Sequence, residues 1–248
     1  MKKYMIRADD LGFSKAVNYG IYETVKNGHI QNIGFMVNMH ASIHGYELVK
    51  EYDICLGQHT NVCVGKPICN PTLIPSLVNE QGEFKSSKEY RQSKEDFVVL
   101  EEAILEVEAQ YERFKEITNQ EPAYFEAHAV MSQNLMKAIK IVGERHGLKT
   151  LNMSFDGSPL VINGQKMYMH MDSMFPEYDP MQSFLKMLEA KEDGYHMMVF
   201  HPGYLDQYIT TVSSLTTPRM KEVDMLVSEK FKEYIKTNGI QLYTYDEV

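Results

Sequence analysis

The sequence predicts an α/β fold: a distorted or incomplete (β/α) barrel with mostly parallel strands, in a single domain that spans residues 1–248. Short apolar runs alternate with longer segments of helical periodicity, and this alternation is typical of a parallel sheet covered by helices. About seven strand candidates follow one another without internal repeats, low-complexity tracts or an obvious linker, so one domain is favoured over two.

The alternation is clearest in the N-terminal part of the chain. Residues 4–8 (YMIRA) are predicted as a strand, and residues 16–26 as an amphipathic helix whose apolar positions recur on one face. Ser14 suits the N-terminal cap of this helix, and Gly28 suits its C-terminal end. A strand, a helix and a strand are then predicted at residues 33–38, 43–51 and 53–57.

Residues 60–94 interrupt this rhythm. They contain Pro67, Pro71 and Pro75 and end in a polar run, SSKEYRQSK. A connector of this length is unusual in a compact domain, so we predict a long loop insertion that acts as a lid or faces the substrate. A surface insertion without such a role is the alternative.

The remainder of the chain continues the alternation, although residues 148–180 show no clear pattern. Helices are predicted at residues 96–117, 135–146, 180–191 and 219–236. Strands are predicted at residues 124–127, 195–200 and 239–243. Gly147 is placed to end the second of these helices, because glycine readily adopts the backbone conformation that closes a helix.

Composition and charge limit the partners of the protein. The chain has 44% hydrophobic and 24% charged residues, as ordinary globular proteins do, and a formal net charge of -9. This charge argues against nucleic acid and against anionic membranes as partners, because both bind to basic surfaces. A small ligand is therefore expected.

The N-terminus and the cysteines indicate the compartment. The first ten residues, MKKYMIRADD, lack the apolar segment of a secretion signal, and no apolar run reaches the ~18 residues of a membrane span. Cys55, Cys63 and Cys69 are odd in number and lack the C-x-x-C spacing, which argues against a disulfide framework and a structural zinc site. We expect unpaired thiols and a cytoplasmic protein.

Four predicted strands each lead into a carboxylate or an imidazole. Asp9 and Asp10 come after the first strand, and His59, His128 and His201 come after three later ones. The carboxyl ends of parallel strands meet at one face of an α/β fold, so these five side chains can converge there. A single histidine after a strand is more often structural, but its recurrence at several strand ends argues for a site.

This set of side chains suits metal-assisted hydrolysis. One carboxylate and two imidazoles, with the remaining positions left to water or substrate, make an open metal site of the catalytic type. The second carboxylate can accept the proton of an attacking water, and a further histidine can donate a proton to the leaving group. We therefore expect hydrolysis of an amide or an ester.

Simpler interpretations exist for each motif. The run DDLG can be a turn whose aspartates cap the following helix, and His201-Pro202-Gly203 can be an ordinary turn. His40 and His44, four residues apart, form a competing metal-binding pair, although no third ligand lies nearby in the sequence. The other histidines have no recognisable partner: His29, His146, His170 and His196.

Several runs resemble the YdjC/ChbG-like carbohydrate deacetylases. They are RADDLGFSKAVNYGI, GQHTNV, EAH, HPGY and the R-x-x-E of residues 219–222, and they occur in the same order over essentially the whole chain. The opening DD-x-G-x-S and the HPGY run are the most specific. The resemblance implies a distorted (β/α) barrel that uses a divalent metal to remove acetyl groups from N-acetylated sugars such as chitooligosaccharides.

The resemblance also assigns roles by position. It implies that Asp10, His59 and His128 hold the metal, that Asp9 is the general base and that His201 is the general acid. It associates the site mainly with magnesium, whereas two imidazoles and a carboxylate make zinc plausible as well. A small carbohydrate is the implied partner, and the resemblance allows a homodimer. The weaker candidates for substrate contacts are Arg7, Tyr204 and Arg219.

Two departures from the family pattern bear on the substrate. The family usually has two further histidines after the ligand equivalent to His128, and Val130 and Ser132 stand in their places here. Arg7 occupies a position where an asparagine is usual. These changes affect substrate contacts more than metal binding. They leave two alternatives open: another metal-assisted hydrolase of a sugar ester or phosphorylated sugar, and a non-catalytic carbohydrate-binding relative.

Overall fold

The computed structural model describes residues 1–151 and 158–248, and it shows strands and helices in alternation. The strands are β1 (Lys2–Leu11), β2 (Asn32–Phe35), β3 (Cys55–Thr60), β4 (Tyr124–Ala127), β5 (Lys149–Thr150), β6 (Leu160–Ile162), β7 (Gln165–His170) and β8 (Gly194–Phe200). The helices are α1 (Lys15–Asn27), α2 (Ser42–Val49), α3 (Ser87–Gln92), α4 (Leu100–Thr118), α5 (Gln133–His146), α6 (Pro180–Leu188), α7 (Gln207–Val212), α8 (Thr217–Val227) and α9 (Glu229–Thr237). Short 3₁₀ turns occur at Pro71–Leu73 and Tyr245–Glu247.

Within the described residues, the eight strands form one sheet in the order β5-β4-β3-β2-β1-β8-β7-β6. All neighbouring strands are parallel except β6 and β7, which are antiparallel. The sheet curves into an incomplete barrel that is flanked by helices, and the predicted fold class is confirmed. Three of the strands, β5, β6 and β7, lie within residues 148–180, where the sequence pattern was not clear.

The strands that carry the acidic and imidazole residues extend further than the sequence predicts. Asp9 and Asp10 lie within β1, and His59 lies within β3, rather than after these strands. His128 and His201 do follow β4 and β8 directly. The difference has a physical reason: β1 is paired on both sides, by β2 and β8, so its polar end is as buried as its apolar part.

The caps of two helices agree with the sequence. The Ser14 side chain accepts a hydrogen bond from the Val17 amide (3.2 Å) at the start of α1, which ends just before Gly28. Gly147 follows α5 in the left-handed conformation (φ 67°) that favours glycine.

Two predictions near the C-terminus are wrong. The helix predicted over residues 219–236 is divided at Ser228, whose extended backbone ends α8 and whose hydroxyl accepts from the Phe231 amide (3.2 Å) to begin α9. Residues 239–243 do not form a strand, and only Leu242 makes an isolated bridge, to Tyr4. Because β2 and β8 occupy both edges of β1 from Arg7 onwards, little of β1 remains free to pair there.

The C-terminal 3₁₀ turn, Tyr245–Glu247, packs against the sheet and places Tyr245 in the buried core. Met5, Tyr124, Met197 and Tyr245 belong to one buried cluster, in which the two tyrosine rings lie 4.1 Å apart. The Tyr245 amide donates to the Asn32 side chain (3.0 Å), and its hydroxyl accepts from the Arg7 guanidinium (3.2 Å). Met5 and Arg7 are on the same face of β1, so this cluster supports the charged residues at the strand end.

The predicted insertion at residues 60–94 is packed against the domain. Its buried residues Ile74, Leu77 and Phe84 share a cluster with α4 and α5. The Glu106 carboxylate on α4 accepts from the backbone amides of Ile68 (3.1 Å) and Cys69 (2.9 Å). These contacts tie the segment to α4. Its role as a lid stays a prediction.

Two further sequence expectations concern thiols and membranes. The three cysteines are free thiols, of which Cys55 and Cys63 are buried. Over the parts of the chain that the structure describes, none of the helices has both the length and the apolar character needed to cross a membrane.

We expect Tyr245→Ala to lower the free energy of unfolding by about 3–5 kcal/mol, because it empties a fully buried aromatic site in the core. Urea denaturation followed by circular dichroism measures this change. Tyr19→Ala, at a tyrosine that is 48% exposed, is the matched control and should change stability far less. Equal losses in the two variants would contradict the supporting role of the C-terminal turn.

Candidate metal centre

The ends of three strands bring Asp10, His59 and His128 into direct contact. The Asp10 Oδ1 atom lies 3.1 Å from His59 Nε2 and 3.0 Å from His128 Nδ1, and the two imidazole nitrogens are 2.9 Å apart. All three side chains are buried. The structure therefore brings together the three residues that the family resemblance implies as metal ligands.

The backbone at Asp10 explains how two consecutive aspartates reach one cavity. Neighbouring residues of a regular strand point to opposite faces. The pairing of β1 with β2 shifts register between Ala8 and Leu11, and Asp10 has a left-handed backbone conformation (φ 79°). Such an irregularity redirects a side chain and is costly for a residue other than glycine. As a result, both Asp9 and Asp10 line the cavity.

The three donor atoms suit a divalent cation. Donors that surround such an ion at about 2.0–2.2 Å are themselves about 3–3.5 Å apart, which is close to the separations at Asp10, His59 and His128. Asp9, His59 and Glu126 form a second group of closely spaced donors. Because Arg7 binds both oxygens of Asp9 whereas Arg219 binds only one oxygen of Asp10, the first group is the better candidate.

Buried charges set the pKa values of this group. Burial alone would raise the pKa of Asp10, but Arg219 and His128 outweigh it and hold that pKa well below its usual range. Burial alone would likewise lower the pKa of His128, but the Asp10 carboxylate raises it to about 9. In the metal-free protein His128 is therefore protonated at neutral pH, and a metal ion must displace that proton.

Glu126 orients His59. Its carboxylate forms a hydrogen bond with His59 Nδ1, which leaves Nε2 facing Asp10. Gly34 on β2 provides the space, since a Cβ atom there would lie 2.7 Å from Asp9 Oδ1 and 2.9 Å from Glu126 Oε1. The sequence interpretation assigned no role to Glu126 or Gly34. The only available signal was that Glu126 stands two residues before His128, on the same face of the strand.

Arg7 holds the other aspartate. Its guanidinium donates two hydrogen bonds to Asp9, to Oδ1 (2.6 Å) and Oδ2 (2.7 Å), and a longer one to Glu126 (3.3 Å). This bidentate geometry fixes the Asp9 carboxylate. Arg7 was a candidate for contacting substrate, and it lines the cavity, but its guanidinium is engaged by protein groups.

Helix α8 contributes Arg219 and Glu222. Arg219 donates to Asp10 Oδ2 (2.7 Å) and to the His201 carbonyl (3.3 Å). Glu222 accepts from the His201 amide (2.6 Å) and from the Tyr178 hydroxyl (2.8 Å), and burial raises the pKa of Glu222 to about 8. These residues position the end of β8. Arg219, also a candidate for substrate contacts, is thus tied to Asp10.

His201 faces the same cavity as the metal-binding group. Its ring is partly buried, and its Nδ1 atom is buried without a hydrogen-bond partner. Burial lowers the pKa of His201 to about 4, so the imidazole is neutral at pH 7. Tyr204 is not brought to the cavity: it is 40% exposed and lies outside the residues that line it.

The competing histidines have other surroundings. His40 packs edge-on against Tyr208, at 4.7 Å between ring centroids, and His44 Nδ1 contacts the Asn18 amide (3.1 Å). Within the described ranges, neither belongs to a group of three potential metal ligands. His170 and His196 contact each other (3.1 Å), which the sequence did not indicate.

The fold and this centre define an α/β barrel protein with a candidate divalent-metal site at the carboxyl ends of its strands. The chain belongs to the YdjC-like protein family, whose profile matches residues 3–237. The resemblance seen in the sequence is thereby confirmed.

Individual relatives match over nearly their whole length. Carbohydrate deacetylase 2 of Listeria innocua is 30% identical, and the match covers 99% of this chain and 98% of that protein. The chitooligosaccharide deacetylase of Citrobacter koseri is 25% identical, and the match covers 98% of this chain and 98% of that protein. A crystal structure of a protein from Enterococcus faecalis V583, described as a candidate for cellobiose-phosphate cleavage, shares the fold with a TM-score of 0.84. The two chains are 23% identical, and the match covers 99% of this chain and 98% of the other.

We expect Asp10→Asn to abolish high-affinity binding of a divalent ion, because it removes the carboxylate that both imidazoles contact. Equilibrium dialysis followed by elemental analysis measures the bound ion. Asp9→Asn is the matched control and should retain the ion. If Asp9→Asn loses the ion and Asp10→Asn keeps it, the ion occupies the group of Asp9, His59 and Glu126 instead.

The affinity for the ion should rise with pH. Because the pKa of His128 is about 9 in the metal-free protein, binding releases a proton below that pH. Apparent affinity should increase about tenfold or more per pH unit from pH 7 to 9. Titration calorimetry with a competing chelator measures this slope, and a flat profile over this interval would show that His128 does not exchange its proton for the ion.

Proposed function

We propose that the protein is a metal-dependent hydrolase that removes acetyl groups from N-acetylated sugars or oligosaccharides in carbohydrate degradation. One observation carries the proposal: Asp9 and His201 line the same cavity as the group Asp10, His59 and His128. A proton acceptor, a potential proton donor and a metal-binding group are thus available around one substrate.

Relatives support the class of reaction. Proteins that are 30% and 25% identical over nearly the whole chain are named carbohydrate deacetylase and chitooligosaccharide deacetylase. Both names describe removal of an acetyl group from a carbohydrate. A small carbohydrate is accordingly the partner that we propose, and a cytoplasmic location fits such a substrate.

The metal and its ligands have a defined part in this proposal. Asp10, His59 and His128 would hold a divalent ion, which when bound polarises an acetyl carbonyl and acidifies water. Two imidazoles and one carboxylate favour zinc or another borderline ion, whereas the family resemblance implies magnesium. Acetate release measured with each ion in turn separates these candidates.

Asp9 is the proposed general base. Arg7 donates one hydrogen bond to each oxygen of the Asp9 carboxylate. An ionised carboxylate can accept about four hydrogen bonds in all. Asp9 therefore keeps free lone pairs in a fixed orientation. It can accept the proton of the water that attacks the acetyl carbon.

His201 is the proposed general acid. It is neutral in the substrate-free protein, so it must take up a proton before it can donate one. Negative charge that develops on the acetyl oxygen during attack raises the pKa of a nearby imidazole and so favours this uptake. His201 can then protonate the sugar nitrogen as the carbon–nitrogen bond breaks, and acetate and an amino sugar are released.

We expect Asp9→Asn to lower the rate of acetate release by about 10²–10⁴-fold, because the amide cannot accept a proton. Acetate release from N-acetylglucosamine and from chitooligosaccharides, assayed on metal-loaded protein, measures the effect. Bound metal should be unchanged in the variant.

His44→Gln is a control at a histidine away from the metal-binding group, and it should retain activity. Release of no acetate by the metal-loaded parent protein, from any acetylated mono- or oligosaccharide, would refute the proposal. Release of phosphate or cleavage of an ester instead would favour a different hydrolase on the same scaffold.

A further inference from the structure

The lining of the cavity includes five methionines, and the proposed chemistry makes no use of them. The cavity has a volume of about 300 Å³. We use the term methionine wall for the five methionines among its lining residues: Met131, Met136, Met169, Met171 and Met174. They come from the loop after β4, from the start of α5, from the end of β7 and from the segment after β7.

The methionine wall extends to the surface. Met131 is 53% exposed, Met171 41% and Met174 60%. Single exposed apolar side chains are common, but several on the rim of one cavity mark a binding surface. Methionine side chains are flexible and polarisable, so they adapt to apolar ligands of varied shape. A sugar ring would leave its hydroxyl groups without partners along such a wall.

A buried hydroxyl lies within this wall. Ser173 stands between Met171 and Met174, lines the cavity and is 2% exposed, and its Oγ atom has no hydrogen-bond partner among the residues that the structure describes. An unpaired buried hydroxyl is costly, so a ligand that supplies a hydrogen-bond partner gains affinity there. The two buried arginines of the cavity, Arg7 and Arg219, are already paired with carboxylates. They are therefore not free to bind polar groups of a ligand.

We infer that the methionine wall is a subsite for an apolar aglycone, an alkyl or aryl group joined to the anomeric oxygen of the acetylated sugar. This inference rests on the proposed function. In this arrangement Ser173 donates a hydrogen bond to an oxygen of the sugar. The substrate class is then a glycoside with an apolar group rather than a free oligosaccharide.

The burial of the lining residues favours the aglycone over a long acyl chain. Val199, which is 2% exposed, stands two residues before His201 on the same face of β8 and lines the cavity next to the reacting groups. This enclosed part suits the methyl of an acetyl group. The anomeric carbon is bonded to the carbon that bears the amide, so an aglycone leaves the sugar beside the reacting group and can follow the methionine wall to the exposed rim.

Methyl, butyl and hexyl β-glycosides of N-acetylglucosamine test this inference. We expect kcat/KM for acetate release to rise by up to about fourfold for each methylene, mostly through KM, because each buried methylene adds apolar area. Equal kcat/KM values along the series would overturn the inference and leave the proposed function intact. A gain with N-hexanoylglucosamine in place of the glycosides would also overturn it.

Variants locate the effect on the protein. Met171→Ser and Met174→Ser change exposed side chains, so the fold should tolerate them. We expect each to reduce the ratio of kcat/KM between the hexyl and methyl glycosides by about tenfold. Met220→Ser, at an exposed methionine outside the cavity, should preserve this ratio. A ratio that is the same in all variants would overturn the inference.

A binding experiment separates the inference from the proposed function. Calorimetric titration with methyl and hexyl β-glucoside, which carry no acetyl group, should show tighter binding of the hexyl compound and loss of that preference in Met174→Ser. This result supports the subsite even if no acetate is released from any substrate. If neither glucoside binds and Met174→Ser turns a dimer into a monomer in sedimentation, the wall contacts a second copy of the chain and the inference fails.

Discussion

Asp9 and Asp10 are adjacent buried carboxylates, and the site depends on the two buried arginine side chains that neutralise them. Asp9 is paired with Arg7, and Asp10 with Arg219, at distances of 2.6 and 2.7 Å. A buried charge without a partner costs several kcal/mol, so each aspartate depends on the arginine beside it. The arginines also differ in effect, because Arg7 occupies both oxygens of Asp9 while Arg219 leaves one oxygen of Asp10 to the imidazoles.

This difference separates the roles of two chemically identical residues. The free oxygen of Asp10 lies within 3.1 Å of nitrogen atoms on both His59 and His128, and the three atoms together suit a cation. Asp9 is held in place by the Arg7 guanidinium, and we propose it as the acceptor of the proton from the attacking water. The strained backbone at Asp10 is what allows both side chains to enter one cavity.

Supporting residues come from distant parts of the chain. Arg219 and Glu222 on α8 hold Asp10 and the backbone of His201, and Tyr245 in the C-terminal turn contacts Arg7. The geometry of the site is therefore coupled to the packing of the last thirty or so residues on the sheet. The methionine wall lies partly in the segment after β7, and the same segment carries Tyr178, whose hydroxyl donates to Glu222 (2.8 Å).

The sequence by itself determined the fold class and the five principal side chains, because alternating apolar runs reveal parallel strands and because strand ends collect on one face. It also carried the family resemblance, since the motifs around Asp9, His128 and His201 are local in the chain. It placed Asp9 and His59 after their strands, however, because burial of a strand end by its neighbours cannot be read from local pattern.

Only the tertiary structure decided which groups support the site. The bond from Arg219 to Asp10 joins residues 209 positions apart, and no periodicity predicts such a pair. No periodicity predicts the hydrogen bond between Glu126 and His59 either, or the space that Gly34 leaves beside these two side chains. These contacts arise from strand pairing and from the packing of α8, which are non-local, whereas sequence patterns report the local preferences of the chain.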